Sequence, residues 1–148
     1  MKPGAILFHK DFLFSDGTSK HKYVVVIGTG PSSVVVAKTT SKGHNYRNDH
    51  GCQAGNHFAA FLLTLGCCCL QKNTWICFSE FYEIKTQTLT AKLVAGEVYQ
   101  YGQLDPEITR DVQVCAAGCD DLEKAHEDLV RASFVTVPVA APAAKPAV

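Results

Sequence analysis

The chain has 148 residues, 47% of them hydrophobic and 19% charged, with 14 Lys/Arg against 14 Asp/Glu. That length suits one domain with a core of its own, and the composition excludes a disordered polyelectrolyte. No apolar run reaches the ~18 residues of a membrane-spanning helix, and the opening MKPGAILFHKDFLF, broken by His9, Lys10 and Asp11, lacks a small-residue cleavage site, so a mature cytoplasmic protein with no membrane partner is expected.

The charge is balanced overall but not along the chain. Residues 1–50 carry seven Lys/Arg against three Asp/Glu, and residues 101–133 carry three against eight. A basic front and an acidic back give a neutral chain one face that suits polyanions, or else ordinary surface scatter.

Residues 5–14 are rich in Phe, Ile and Leu and read as a strand. SDGTS follows as a turn with Asp-Gly at its centre. KYVVVIG is a second strand, apolar on both faces and therefore central. GTGPSS breaks it, and SVVVAKTTS is a third strand ending in hydroxyls. The links are too short for crossover helices, so the three form an antiparallel meander. Residues 42–57 are a polar, glycine-containing loop of the length that often carries function. FAAFLLTL is a strand or a short buried helix; NTWICFSEFYEIK is one strand, or two with a kink. LTAKLVAGEVYQYG reads as another strand with Gly96 as a bulge.

At LDPEITRDV the period becomes helical. Asp105 suits the N-cap, Pro106 the first helical position, and Ile108, Val112 and Cys115 recur on one face until Gly118. Asp120 and Asp121 open a second helix, with Leu122, Ala125 and Leu129 on its apolar side. The fold class is mainly β with C-terminal helices (β+α): a small open antiparallel barrel followed by one or two helices. Residues 1–133 form a single domain, and the Pro/Ala-rich segment 134–148 is a disordered tail.

Four constellations have chemical content. Gly28 and Gly30 follow a strand as in a nucleotide-binding loop, but Pro31 and another strand replace the helix that such a loop requires. His44, His50, Cys52 and His57 crowd one loop, with Cys67, Cys68 and Cys69 beyond; zinc is an alternative there, without the paired C-x-x-C spacing of zinc ribbons. The seven cysteines are otherwise read as reduced thiols, several buried as small hydrophobes. A thiol-protease pair has no flanking motif to support it. The fourth is Lys20, His21 and Lys22 at the base of the first turn, facing Thr39, Thr40 and Ser41 at the end of the third strand, with Arg47 a short loop away. These are the solvated ends of hairpin strands, or a phosphodiester site: cations stabilise a pentavalent transition state, hydroxyls position the phosphate, and an imidazole moves protons near neutral pH. Tyr46 is the aromatic best placed to stack a base, whereas Trp75 and Phe78 belong to the core.

The order of these segments resembles the PemK/MazF family of toxin–antitoxin proteins. KPGAILFHKDFLFSDGTSKHKYVVVIG is similar to that family's opening, VVVAKTTS to its third strand, NTWICFSEFYEIK to a later strand, and GEVYQYGQLDPEITRDV to the turn that feeds its C-terminal helix. The likeness spans residues 3–117 and leaves 42–72 without a counterpart. It implies a small SH3-like barrel and an endoribonuclease that needs neither metal nor cofactor. The ribose 2′-hydroxyl attacks the adjacent phosphate of single-stranded RNA (mRNA), leaving a cyclic phosphate and a 5′-hydroxyl. The family's basic residue before the second strand is typically Arg followed by Pro; here it is Lys22 followed by Tyr23. Lys keeps the charge but not the planar grip of Arg. The resemblance maps the catalytic position onto Lys22, with His21 as the neighbouring alternative, and the hydroxyl partner onto Thr40, with Ser41 beside it; Lys20, Ser41, Tyr46 and Arg47 are the expected RNA contacts around that point. It further implies a homodimer and a cognate antitoxin. A barrel that binds RNA or a partner protein without cleaving is the alternative.

Overall fold

The computed structural model describes residues 1–14, 16–55 and 57–138. Strands β1 (Ala5–Leu13), β2 (Ser19–Thr29) and β3 (Ser33–Thr40) form the antiparallel meander expected from the short links. Strand β2 is apolar on both faces because each face of the sheet has its own core. Val25 and Ile27 join Ile6 and Ala37 on one side; Val24 and Val26 join Leu7 and Val36 on the other.

Five further strands complete the sheet: β4 (Gly51–Cys52), β5 (Ala60–Leu63), β6 (Thr74–Cys77), β7 (Tyr82–Lys85) and β8 (Val98–Gln103). Their order is β4-β5-β6-β3-β2-β1-β8, with β7 branching from β3. Ser33–Val36 pair with β7, whereas Thr39 and Thr40 pair with β6. The segment 73–85 is therefore two strands, and β3 divides its edge between them. The result is a mixed β+α fold with an eight-stranded antiparallel sheet. Strands β4 and β8 end the sheet without meeting, so it is not closed into a barrel.

Helix α1 (Thr86–Val94) corrects the reading of 89–102 as one strand. Leu89 and Leu93 lie four residues apart and pack on the core that holds Val24 and Val26. The expected bulge at Gly96 is instead the helix stop. Gly96 has φ +76°, its N–H donates to Leu93 O at 3.2 Å, and Glu97 N–H donates to Lys92 O at 3.0 Å, the paired bonds of a Schellman motif.

The opposite core is covered by α2 (Pro106–Ala117) and α3 (Lys124–Ala132). Asp105 caps α2 as expected, accepting from Ile108 N–H at 2.8 Å. Helix α3 begins at Lys124, so Asp120 and Asp121 lie in the turn before it rather than opening it. Gly28 is explained by α3: a Cβ there would stand 2.8 Å from Leu129 Cδ2 and 3.0 Å from Val130 Cα. The glycine serves helix–strand packing, not a nucleotide loop. Buried Gln113 of α2 donates to Ile27 O (2.9 Å) and Ser133 O (2.8 Å) and accepts from Val135 N–H (2.9 Å).

Two expectations about the segments around these helices change. Within the expected tail, residues 134–138 run along α2, where Arg110 sits 4.9 Å from the Phe134 ring and donates to Val135 O; residues 139–148 lie outside the described residues. Cys52 and Cys115 are not reduced thiols but a disulfide joining β4 to α2, with S–S 2.10 Å. Cys67, Cys68 and Cys69 are free and occupy the turn between β5 and β6. Among the described residues, no helix is long and apolar enough to cross a membrane.

Candidate functional site

The start of β2 and the end of β3 meet at one concave rim. The β2–β3 register pairs Val24 with Lys38, so the same register carried two residues further sets Lys22 opposite Thr40. A cleft of about 400 Å³ opens there, lined by His21, Lys22, Tyr23, Thr39, Thr40 and Ser41, by Gln71, Lys72 and Thr74, and by the rings of Phe8 and Tyr101. The two chain segments expected to converge thus do so. His21 and Lys22 face the cleft together where β1 bulges: His9 pairs with Lys22 and Phe12 with Lys20, leaving Lys10 and Asp11 as the irregularity between them.

Lys22 is the hinge of the site. Its ammonium donates to Thr39 O at 2.8 Å. Burial lowers its pKa from the ordinary lysine value, with Lys20, Lys38 and Lys42 adding to the shift and Cys77 opposing it. The Thr39 hydroxyl donates to Tyr23 O at 2.8 Å and fixes the strand ends. The Thr40 hydroxyl accepts from Lys42 N–H at 3.1 Å, which leaves its own proton to donate outward. His21 is exposed, its ring 5.6 Å from that of Phe8.

On the far side of Lys22 lies a second hollow of about 260 Å³, lined by Lys20, Lys38, Lys42 and His44 with Phe14, Tyr46 and Cys77. The ammonium groups of Lys20 and Lys38 stand 5.7 and 5.3 Å from the Phe14 ring, whose π face tolerates both. Among the described residues, the two hollows together gather five lysines, and no carboxylate lines either. The acidic helices pack over the other end of β2, at Ile27 and Thr29. Six strand residues, about 20 Å, separate that end from Lys22. The imbalance read along the sequence is therefore also an imbalance in space.

Two expected RNA contacts are placed differently. Arg47 lines neither hollow. Its guanidinium pairs with Asp49, and its backbone is clamped by Gln53 and by Trp75 Nε1, which donates to Arg47 O at 2.9 Å. Tyr46 does line the second hollow, but as a wall. Its ring stacks on Trp75 at 6.1 Å, and its hydroxyl donates to Cys77 Sγ at 3.4 Å. Burial pushes its phenol pKa up.

The loop that suggested zinc holds other arrangements. Cys52 is in the disulfide, and His50 Nδ1 sits 2.9 Å from the Thr64 hydroxyl. Among the described residues no three His, Cys, Asp or Glu side chains gather as a metal would require.

Sequence reasoning missed Lys38, Lys72, Phe8, Tyr23 and Tyr101. Lys38 was within reach of it, since it stands two residues before Thr40 and so on the same side of β3. The others required the strand register. Compared with protein-family models, curated proteins and solved structures, the chain matches none of them.

Proposed function

We propose that the chain binds single-stranded RNA across the lysine-rich cleft and cleaves it by 2′-hydroxyl attack, in the manner of a PemK/MazF-type toxin built on an open SH3-like sheet. One observation carries the reading: Lys22, His21 and Thr40 line one cleft that, among the described residues, has no carboxylate in it. A phosphodiester fits such a lining, because cations and hydroxyl donors stabilise the charge that grows on its oxygens during attack.

In this reading Lys22 holds the scissile phosphate and Thr40 donates to a non-bridging oxygen. The 2′-oxygen forms a bond to phosphorus as the bond from phosphorus to the 5′-oxygen breaks. His21 takes the proton of the 2′-hydroxyl. The departing 5′-oxygen takes one from Lys22, whose burial makes that proton easier to release. The products are a 2′,3′-cyclic phosphate and a 5′-hydroxyl. An antitoxin with an acidic segment would compete for the same lysines.

A second reading, binding without cleavage, is favoured by one contact: Lys22 already spends a donor on Thr39 O. Incubating labelled single-stranded RNA with the purified protein in chelator-containing buffer separates the two. Cyclic-phosphate ends are expected, and they should disappear in the Lys22→Ala, His21→Ala double variant. Intact RNA bound in a salt-sensitive way would select the second reading, and equal cleavage by the double variant would defeat the residue assignment. The affinity should fall with salt at a log–log slope no steeper than about −3.5, the limit for five lysines on a single strand.

A further inference from the structure

The cleft continues onto a row of aromatic rings: Tyr23 and Tyr101 pack with one side against the core that holds Val25 and Ile27 and stay half-exposed, and Phe8 and Tyr99 extend the row outward. Phe8 of β1 is paired in register with Tyr23 of β2 on one side and with Tyr99 of β8 on the other. The Phe8 ring centroid lies 5.1 Å from that of Tyr23 and 5.3 Å from that of Tyr99, and Tyr23 lies 5.0 Å from Tyr101. Phe8, Tyr23 and Tyr101 are half-buried, while Tyr99, on a strand that ends the sheet, is 46% exposed. Helices α2 and α3 meet this face of the sheet at the other end of β2, at Ile27 and Thr29.

We propose that these four rings are a stacking shelf for the bases of a single-stranded nucleic acid whose phosphate lies at Lys22. The proposal rests on the reading of the cleft as a phosphodiester site and adds where the bases go. The charge around the shelf argues for this occupant. Tyr23 follows Lys22 in β2, the cleft rim adds Lys72, and among the described residues no carboxylate lines the cleft. Rings flanked by cations suit a chain that alternates flat bases with phosphates, because every base has a π face and stacking is indifferent to sequence. A duplex keeps its bases stacked inside and cannot offer them to the shelf. Binding therefore should show little sequence preference along the shelf and a strong preference for unpaired strands.

Fluorescence anisotropy with two labelled strands tests this: a 2′-O-methyl uridine oligonucleotide, which has no attacking hydroxyl, and an abasic strand with the same number of phosphates. Wild type should hold the base-bearing strand more tightly. Tyr99→Ala, at an exposed position, should weaken that strand about tenfold, about 1.4 kcal/mol, and leave the abasic strand unchanged. Tyr99→Phe should retain the affinity, and Lys22→Ala should weaken both strands. The shelf is overturned if wild type binds the two strands equally, or if Tyr99→Ala weakens both alike or neither. A Tyr99→Ala protein that changes its sedimentation but not its affinity would mark the surface as a protein interface and overturn the shelf as well. Failure of wild type to bind either strand at low salt would instead remove the reading of the cleft itself.

Discussion

Deleting the bridge between Cys52 and Cys115 tests how the long polar loop is held to the helical layer. The bridge closes a loop with a sequence separation of 63. In the chain-entropy account, restricting the unfolded chain in this way contributes about 4 kcal/mol at 25 °C. Cys52 is exposed and Cys115 is 4% exposed, so Cys52→Ser breaks the bond while the buried thiol stays as a small hydrophobe. At about 2–4 °C per kcal/mol for a chain of this size, the variant should melt about 8–16 °C lower. Urea unfolding of wild type, reduced wild type and Cys52→Ser is the assay. The last two should coincide, and their m-values should exceed that of the oxidised wild type, because an uncrosslinked chain exposes more surface. Thiol titration in denaturant should find five thiols in wild type: Cys67, Cys68, Cys69, Cys77 and Cys119. Seven thiols, or a midpoint indifferent to reductant, would refute the reasoning.

Two further outcomes follow from buried groups outside the cleft. His9 is 4% exposed, and its Nε2 lies 3.2 Å from the Lys92 ammonium. Lysine only donates, so Nε2 accepts and the proton sits on Nδ1, a buried atom without a partner among the described residues. Burial, then Lys92, lowers the His9 pKa from 6.5, against Glu97 and Asp11. The unfolded chain therefore takes up a proton that the native state refuses. Stability is full above the unfolded value and falls as pH drops below about 6.5, by at most about 1.4 kcal/mol per pH unit from this group. His9→Leu should flatten the acid limb of the urea midpoint, and an unchanged pH profile would remove the argument. Gly43 has no room for a side chain, since a Cβ would stand 2.6 Å from Cζ2 of Trp75, itself 4% exposed. Gly43→Ala should cost about 1–3 kcal/mol by overpacking. It should also shift the emission of the chain's single tryptophan to longer wavelength; unmoved emission with unmoved stability would contradict this packing.

Much of the architecture follows from local pattern. Short links dictate that β1, β2 and β3 run antiparallel, and the all-apolar VVVI of β2 demands a core on each face. Asp105 and Pro106 mark the start of α2 because an N-cap carboxylate and a proline without N–H satisfy the same unpaired turn. Helix α1 escaped notice because TQTLTAKLV mixes threonines with two leucines, and its residues favour neither period strongly. The decision is made by Leu89 and Leu93 docking on the second core and by Gly96, the one residue there at ease with a positive φ.

The cleft divides in the same way. Lys22, His21 and Thr40 were legible because the termini of adjacent antiparallel strands must meet. Phe8, Tyr23 and Tyr99 were not, because their side-by-side placement depends on two strand registers and on the bulge in β1. Nor was the withdrawal of Arg47, which depends on the side chains of Gln53, Asp49 and Trp75. By itself the sequence determined that β1, β2 and β3 are neighbours and which groups carry charge, since both depend on residues close in the chain. The tertiary structure alone decided which rings share a face, which cation is buried and which cysteines bond, because those depend on long-range packing that no local pattern encodes.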